Sequence, residues 1–131
     1  MMKHPLREKL LGFMASLPVP AENDGDVIVR PDGVQEFAKN WLLRGDRWED
    51  GVFASLSDVE DVIEFGLLAR EGGAPRNLLH ATLVLEAEEA LLHVISQERS
   101  EMNYERRVSA DACAPLDNAL RYFAELVRTT H

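Results

Sequence analysis

The sequence predicts a mainly α-helical, single-domain bundle of about five helices packed around a central helix at 75–99. A small β-hairpin or strand pair is a possible addition, and an α+β fold is the alternative. Three observations carry that expectation. The stretch 75–99 holds no Gly or Pro after Pro75 and is rich in Leu, Ala and Glu, residues that lose little rotamer freedom in a helix. Apolar residues recur at spacings of three and four in segment after segment, which marks one helical face. The chain has 131 residues, 46% hydrophobic and 28% charged, so it reads as one domain (1–131) able to bury a core without metal or disulfide support.

Taken in order, Leu6, Leu10, Phe13, Met14 and Leu17 form the stripe of a first helix, with Pro5 suited to its first turn and Pro18 and Pro20 ending it. Lys3, Arg7 and Lys9 precede its apolar residues, but Glu8 and Gly12 interrupt the run, so it reads as a mature helix and not as a signal peptide. Val27, Ile28 and Val29 suit a short edge strand. Pro31-Asp32-Gly33 is a turn, and Asp32 with Gln35 makes a capping box for a second helix. That helix carries Val34, Phe37, Ala38, Trp41 and Leu42, with Trp41 read as core.

Segment 46–56 reads as an irregular loop, with a hairpin onto 27–29 as the alternative. Ser57 with Glu60 caps a third helix through Arg70, stopped by Gly72-Gly73. It places Val59, Val62, Ile63, Gly66 and Leu67 on one side and Asp58, Asp61 and Glu64 on the other. After the central helix, 100–107 extends it or frays away. A last helix begins near Pro115 with Leu116, Ala119, Leu120, Phe123, Ala124 and Val127 on a clean stripe.

Charge narrows the function. Asp and Glu number 23 against 14 Lys and Arg, a net −9, which argues against a nucleic-acid binder and suits a basic partner. The single Cys113 excludes an internal disulfide and fits a reducing, cytoplasmic setting. No stretch approaches the ~20 apolar residues of a membrane helix.

On a helical wheel the apolar residues of 75–99 spread over roughly 220°. The remaining stripe holds Glu86, Glu89 and His93, a carboxylate and imidazole set. Glu and His stand four apart, not three, with no second copy, so neither a metal nor a cofactor is expected. Glu88 projects into the apolar arc among Val84, Leu85, Leu91, Leu92 and Ile95, where a carboxylate must be paired, for example with Arg121 or Arg70, or else protonated or exposed. His80 lies on the same wide apolar side. Asp58, Asp61 and Glu64 form an acidic docking face on the third helix. No phosphate-binding glycine loop, nucleophile elbow or metal-spaced cysteine set is present.

These features together predict a small acidic helical protein that binds another protein without catalysis, of the adaptor, inhibitor, immunity-factor or secretion-chaperone kind. A homodimer is an option, because the first and last helices both need partners. One alternative is a small enzyme or ligand-binding protein with a pocket along the central helix. The other is an acidic nucleic-acid mimic, which requires the third-helix carboxylates to form an ordered row.

Overall fold

The computed structural model describes residues 4–17, 23–29, 35–47 and 49–130, with the backbone alone at 23–29, 35–39 and 46. Among these residues the chain is mostly β. Helix α1 (Pro5–Ala15) is followed by seven strands and a closing helix α2 (Ala114–Thr130). The strands are β1 (Asn23–Val29), β2 (Gln35–Arg47), β3 (Asp50–Val59), β4 (Val62–Glu71), β5 (Ala74–Leu85), β6 (Glu89–Ile95) and β7 (Tyr104–Ser109). They form one antiparallel sheet in sequence order, each strand pairing with the one before it, so every connection is a local reversal.

Alternation decides which face is buried. On β4, Ile63, Phe65, Leu67 and Ala69 point inward; on β5, Leu79, Ala81, Leu83 and Leu85; on β6, Ala90, Leu92 and Val94. These side chains share one core with Leu6, Leu10 and Met14 of α1 and Leu116, Leu120, Phe123 and Val127 of α2. Both helices therefore cover the same face of the sheet. Phe65 meets Phe123 edge to face, with ring centroids 5.6 Å apart and planes at 83°.

The five-helix bundle is thus corrected, and with it the central helix. Segment 75–99 is two strands joined by a turn at 86–88. Leu, Ala and Glu favour helix only weakly, and partners on both sides of each strand override that preference. The wide apolar arc has the same origin: a strand with one buried and one half-apolar face scatters its apolar residues around a helical wheel. Gly72-Gly73 is not a helix stop but the two-residue turn between β4 and β5, with Glu71 paired to Ala74. Both glycines have positive φ, +61° and +82°, as a twist-matched hairpin turn requires.

The second and third helices are corrected likewise, to β2 and to β3 with β4. Ser57 is a strand residue, and Glu60 sits in the β3–β4 turn at φ 54°, so neither caps a helix. Segment 46–56 is not a loop: it closes the hairpin of β2 and β3, with Arg47 paired to Asp50. Trp41 is core, as expected, but from β2. Val27–Val29 lies in β1, at the sheet edge. Pro18, Pro20, Pro31-Asp32-Gly33, Val34 and Trp48 lie outside the described residues.

Two local devices shape the sheet. A register shift between Leu67 and Leu68 sets both Leu78 and Leu79 into the core, as a bulge does when it adds one residue to a strand. Beside it, a Cβ on Gly66 would stand 2.4 Å from the carbonyl oxygen of Leu79, so the approach of β4 and β5 there requires glycine. Buried Ser96 ends β6. Its hydroxyl donates to the Leu78 carbonyl at 2.7 Å and accepts from the backbone N–H groups of Glu98 and Arg99.

Candidate protein-binding face

With both helices on one side, the other face of the sheet is left without a covering element among the described residues. Its side chains follow from strand pairing. Val59 pairs with Val62, Val62 with Val84, and Val84 with Leu91, which pairs with Arg107. Paired residues point to the same face, so four aliphatic side chains make one stripe across β3 to β6. At about 4.8 Å per strand the stripe is roughly 14 Å long. Val59, Val62 and Leu91 are half-buried and Val84 is 38% exposed.

The next row is polar: Ser57, Glu64, Thr82, His93 and Glu105. Beyond it Ser55, Gly66, His80 and Ile95 stand in register, with Ile95 also 38% exposed. At the far end Phe53 is buried outside the main core, and the Arg70 guanidinium lies 5.6 Å from its ring centroid.

The turns beside the aliphatic stripe border a groove of about 720 Å³. His4, Arg7, Asp61, Glu86, Glu88, Glu89 and Asp111 line it, gathered from α1, the β3–β4 and β5–β6 turns and the segment after β7. The guanidinium groups in and beside it are engaged. Arg107 Nη1 lies 2.6 Å from Glu86 and 3.4 Å from Glu89. Arg7 Nε is 3.2 Å from Asp58, and its Nη2 donates to the Glu60 carbonyl. The His4 ring bridges two elements: Nδ1 accepts from the Leu6 N–H at 3.2 Å, so Nε2 carries the proton toward the Glu89 carbonyl at 3.0 Å.

By contrast Asp61, Glu64 and Glu88 form no ion pair among the described residues. The stripe is therefore aliphatic with carboxylates on both sides.

This arrangement redistributes the residues expected to form sites. Glu88 is exposed in the β5–β6 turn, not buried among Val84, Leu85, Leu91 and Leu92, and is paired with neither Arg70 nor Arg121. Its apparent misplacement came from the helical wheel. Glu86 and Glu89 meet at the groove, but His93 lies apart from them on the uncovered face, directly opposite Glu105. His80 is half-buried on the same face, opposite Gly66. The acidic trio separates completely: Asp58 faces the helices, Asp61 sits in a turn and Glu64 points outward. Asp58, Asp61 and Glu64 therefore make no ordered row: they lie on the inner face of β3, in the β3–β4 turn and on the outer face of β4.

Asp58 lies under α1, where burial raises its pKa and Arg7 only partly offsets this. Asp117 of α2 shows the opposite balance. Burial pushes it upward, but hydrogen bonds from Lys9 and Cys113 outweigh that and hold it below the usual carboxylate range. Lys9 Nζ is 3.0 Å from Asp117 Oδ1, and the Cys113 thiol donates to Oδ2 at 3.3 Å. Burial, joined by the nearby carboxylate, raises the thiol's own pKa, which keeps Cys113 protonated and weakly nucleophilic.

Sequence reasoning missed the aliphatic stripe, since Val59 and Val62 were assigned to a helical core face. Hydropathy alternation along 79–85 was the available signal. Among the described residues no three His, Cys, Asp or Glu side chains converge as a metal-ligating group, and no helix is long and apolar enough to cross a membrane. No protein-family model matches this chain, and comparisons with curated proteins and with solved structures return no match.

Proposed function

We propose that this chain acts by binding another polypeptide on the uncovered face of its sheet, without catalysing a reaction. The observation that carries the reading is the aliphatic stripe Val59, Val62, Val84 and Leu91, continuous across four strands, with Val84 exposed and the other three half-buried. Antiparallel sheets commonly leave one face to water, but such a face is normally polar, and a contiguous apolar patch with a polar rim is the usual form of an interaction site.

An adaptor, inhibitor, immunity factor or secretion chaperone would use such a surface. A cytoplasmic setting is part of the proposal, since the lone thiol of Cys113 suits a reducing compartment. The reading needs no pocket along a central helix, an alternative that lost its basis with that helix.

The test is affinity capture from native extract with the intact chain, beside a Val84→Ser, Leu91→Ser variant. The expected result is a stoichiometric protein that the wild type retains and the variant releases, with both forms showing the same circular dichroism and the variant, which loses a half-buried cross-strand pair, melting cooperatively at a modestly lower temperature. Retention of every captured protein by the variant would remove the face from the binding role.

A further inference from the structure

Resting on the binding role of the uncovered face, we propose that its partner is a basic amphipathic segment of another protein. Aliphatic residues of that segment lie along the Val62, Val84 and Leu91 stripe, and Lys or Arg side chains reach the carboxylates beside it. The argument is charge complementarity at a surface already apolar. Asp61 and Glu88 stand at the turns on one side of the stripe and Glu64 in the row on the other. None of the three has an ion-pair partner among the described residues, whereas Arg7 and Arg107 nearby are already engaged. A cationic segment therefore meets unspent negative charge on both flanks without displacing an existing pair.

The length of the stripe sets the scale of the segment. Roughly 14 Å spans about four extended residues or about nine residues of helix. A second copy of this chain fits less well. Face-to-face pairing would bring the Asp61, Glu64 and Glu88 rims together, in a protein of net charge −9.

The experiment uses the intact protein and two synthetic twelve-residue peptides with the same pattern of leucines, the polar positions being lysine in one and glutamate in the other. Binding is measured by fluorescence anisotropy at low and high salt and mapped by amide chemical shifts. The lysine peptide is expected to bind, shifting amides of β3 to β6 and not of α2. Val84→Ser with Leu91→Ser weakens it about tenfold or more. Asp61→Asn, Glu64→Gln and Glu88→Gln together weaken it about tenfold and flatten its salt dependence.

Three outcomes overturn the proposal. If both peptides bind equally and the serine variant releases both, the face binds polypeptides but charge does not select them. If the lysine peptide binds and neither variant weakens it, the attraction is general and lies elsewhere, and the binding role of the face fails too. If neither binds, and light scattering shows a dimer that the serine variant dissolves, the occupant is a second copy.

Discussion

Phe65 and Val62 exchange places between a helical and a sheet reading of segment 57–70, so substituting each tests the fold directly. On a helix, Val62 belongs to the buried stripe and Phe65 lies outside it. In the sheet Phe65 is fully buried and packed edge to face on Phe123, while Val62 points to the uncovered face, half-buried. Truncating a buried Phe costs about 3–5 kcal/mol. For 131 residues the unfolding entropy is about 0.28 kcal/mol/K, so Phe65→Ala is expected to lower Tm by about 10–18 °C. Val62→Thr keeps the shape and exposes its hydroxyl to water, so it changes stability by about 0.5 kcal/mol or less. Urea unfolding with a shared m-value measures both. A double cycle of Phe65→Leu with Phe123→Leu adds a coupling of about 0.5–1.5 kcal/mol from the ring pair. A Phe65→Ala cost below that of Val62→Thr, or zero coupling, would refute the assignment of these side chains to their faces.

Two further substitutions and one pH series follow from local geometry. Gly12→Ala in α1 meets nothing within 4 Å and removes helix-interior glycine, so thermal melting should show a gain of about 0.5–1 kcal/mol. Gly66→Ala drives a Cβ against the Leu79 carbonyl and should lose about 1–3 kcal/mol; a gain there would contradict the close approach of β4 and β5. Asp58 and Asp117 have pKa values displaced in opposite directions from 3.8. The raised Asp58 adds stability below that value, lost as pH climbs through its folded pKa. The lowered Asp117 adds stability above it, lost as pH falls through its own folded pKa. Relative to wild type, Asp58→Asn should therefore gain between pH ~3 and ~7 and Asp117→Asn should lose, each by about 1 kcal/mol or less at these partly exposed sites. Melting curves across that range that move both variants the same way would contradict the opposed environments.

The two terminal helices were legible because each lays a single stripe on the sheet. Leu6, Leu10 and Met14 are buried at helical spacing, and Leu116, Leu120, Phe123 and Val127 repeat the pattern. Between them, only the edge strand at 27–29 follows the expected period; the segments from 35 to 99 were read as helix or loop and form β2 to β6. In a sheet with a polar outer face, residues 79–85 would alternate cleanly, and His80 and Thr82 do interrupt Leu79, Ala81 and Leu83 in that way. Val84, Leu91 and Ile95 blur the alternation, since they are apolar yet point outward. A spacing of three or four then selects residues from both faces of a strand, as Val59, Val62 and Ile63 show, and imitates a helical stripe. The candidate site suffered accordingly. Glu86, Glu88 and Glu89 do gather at one place, but as a hairpin turn and its flanks, while His80, His93 and Glu64 lie farther along their strands on the uncovered face.

The residues that defeated the helical reading are thus the ones that define the proposed surface. Val84 and Leu91 gain nothing from the core formed with α1 and α2, and each spends apolar area on water. A solvated sheet face is ordinarily lined by polar residues such as the Thr82 beside them. Of Glu88 and Asp61, neither forms an ion pair among the described residues, since Arg107 is drawn to Glu86 and Glu89 and Arg7 to Asp58. A bound cationic, aliphatic segment would meet both features at once, covering the stripe and pairing with the turn carboxylates. Binding of such a segment should therefore raise Tm with the logarithm of its concentration above Kd, and the serine variant should lose that ligand-induced rise when measured against its own ligand-free Tm.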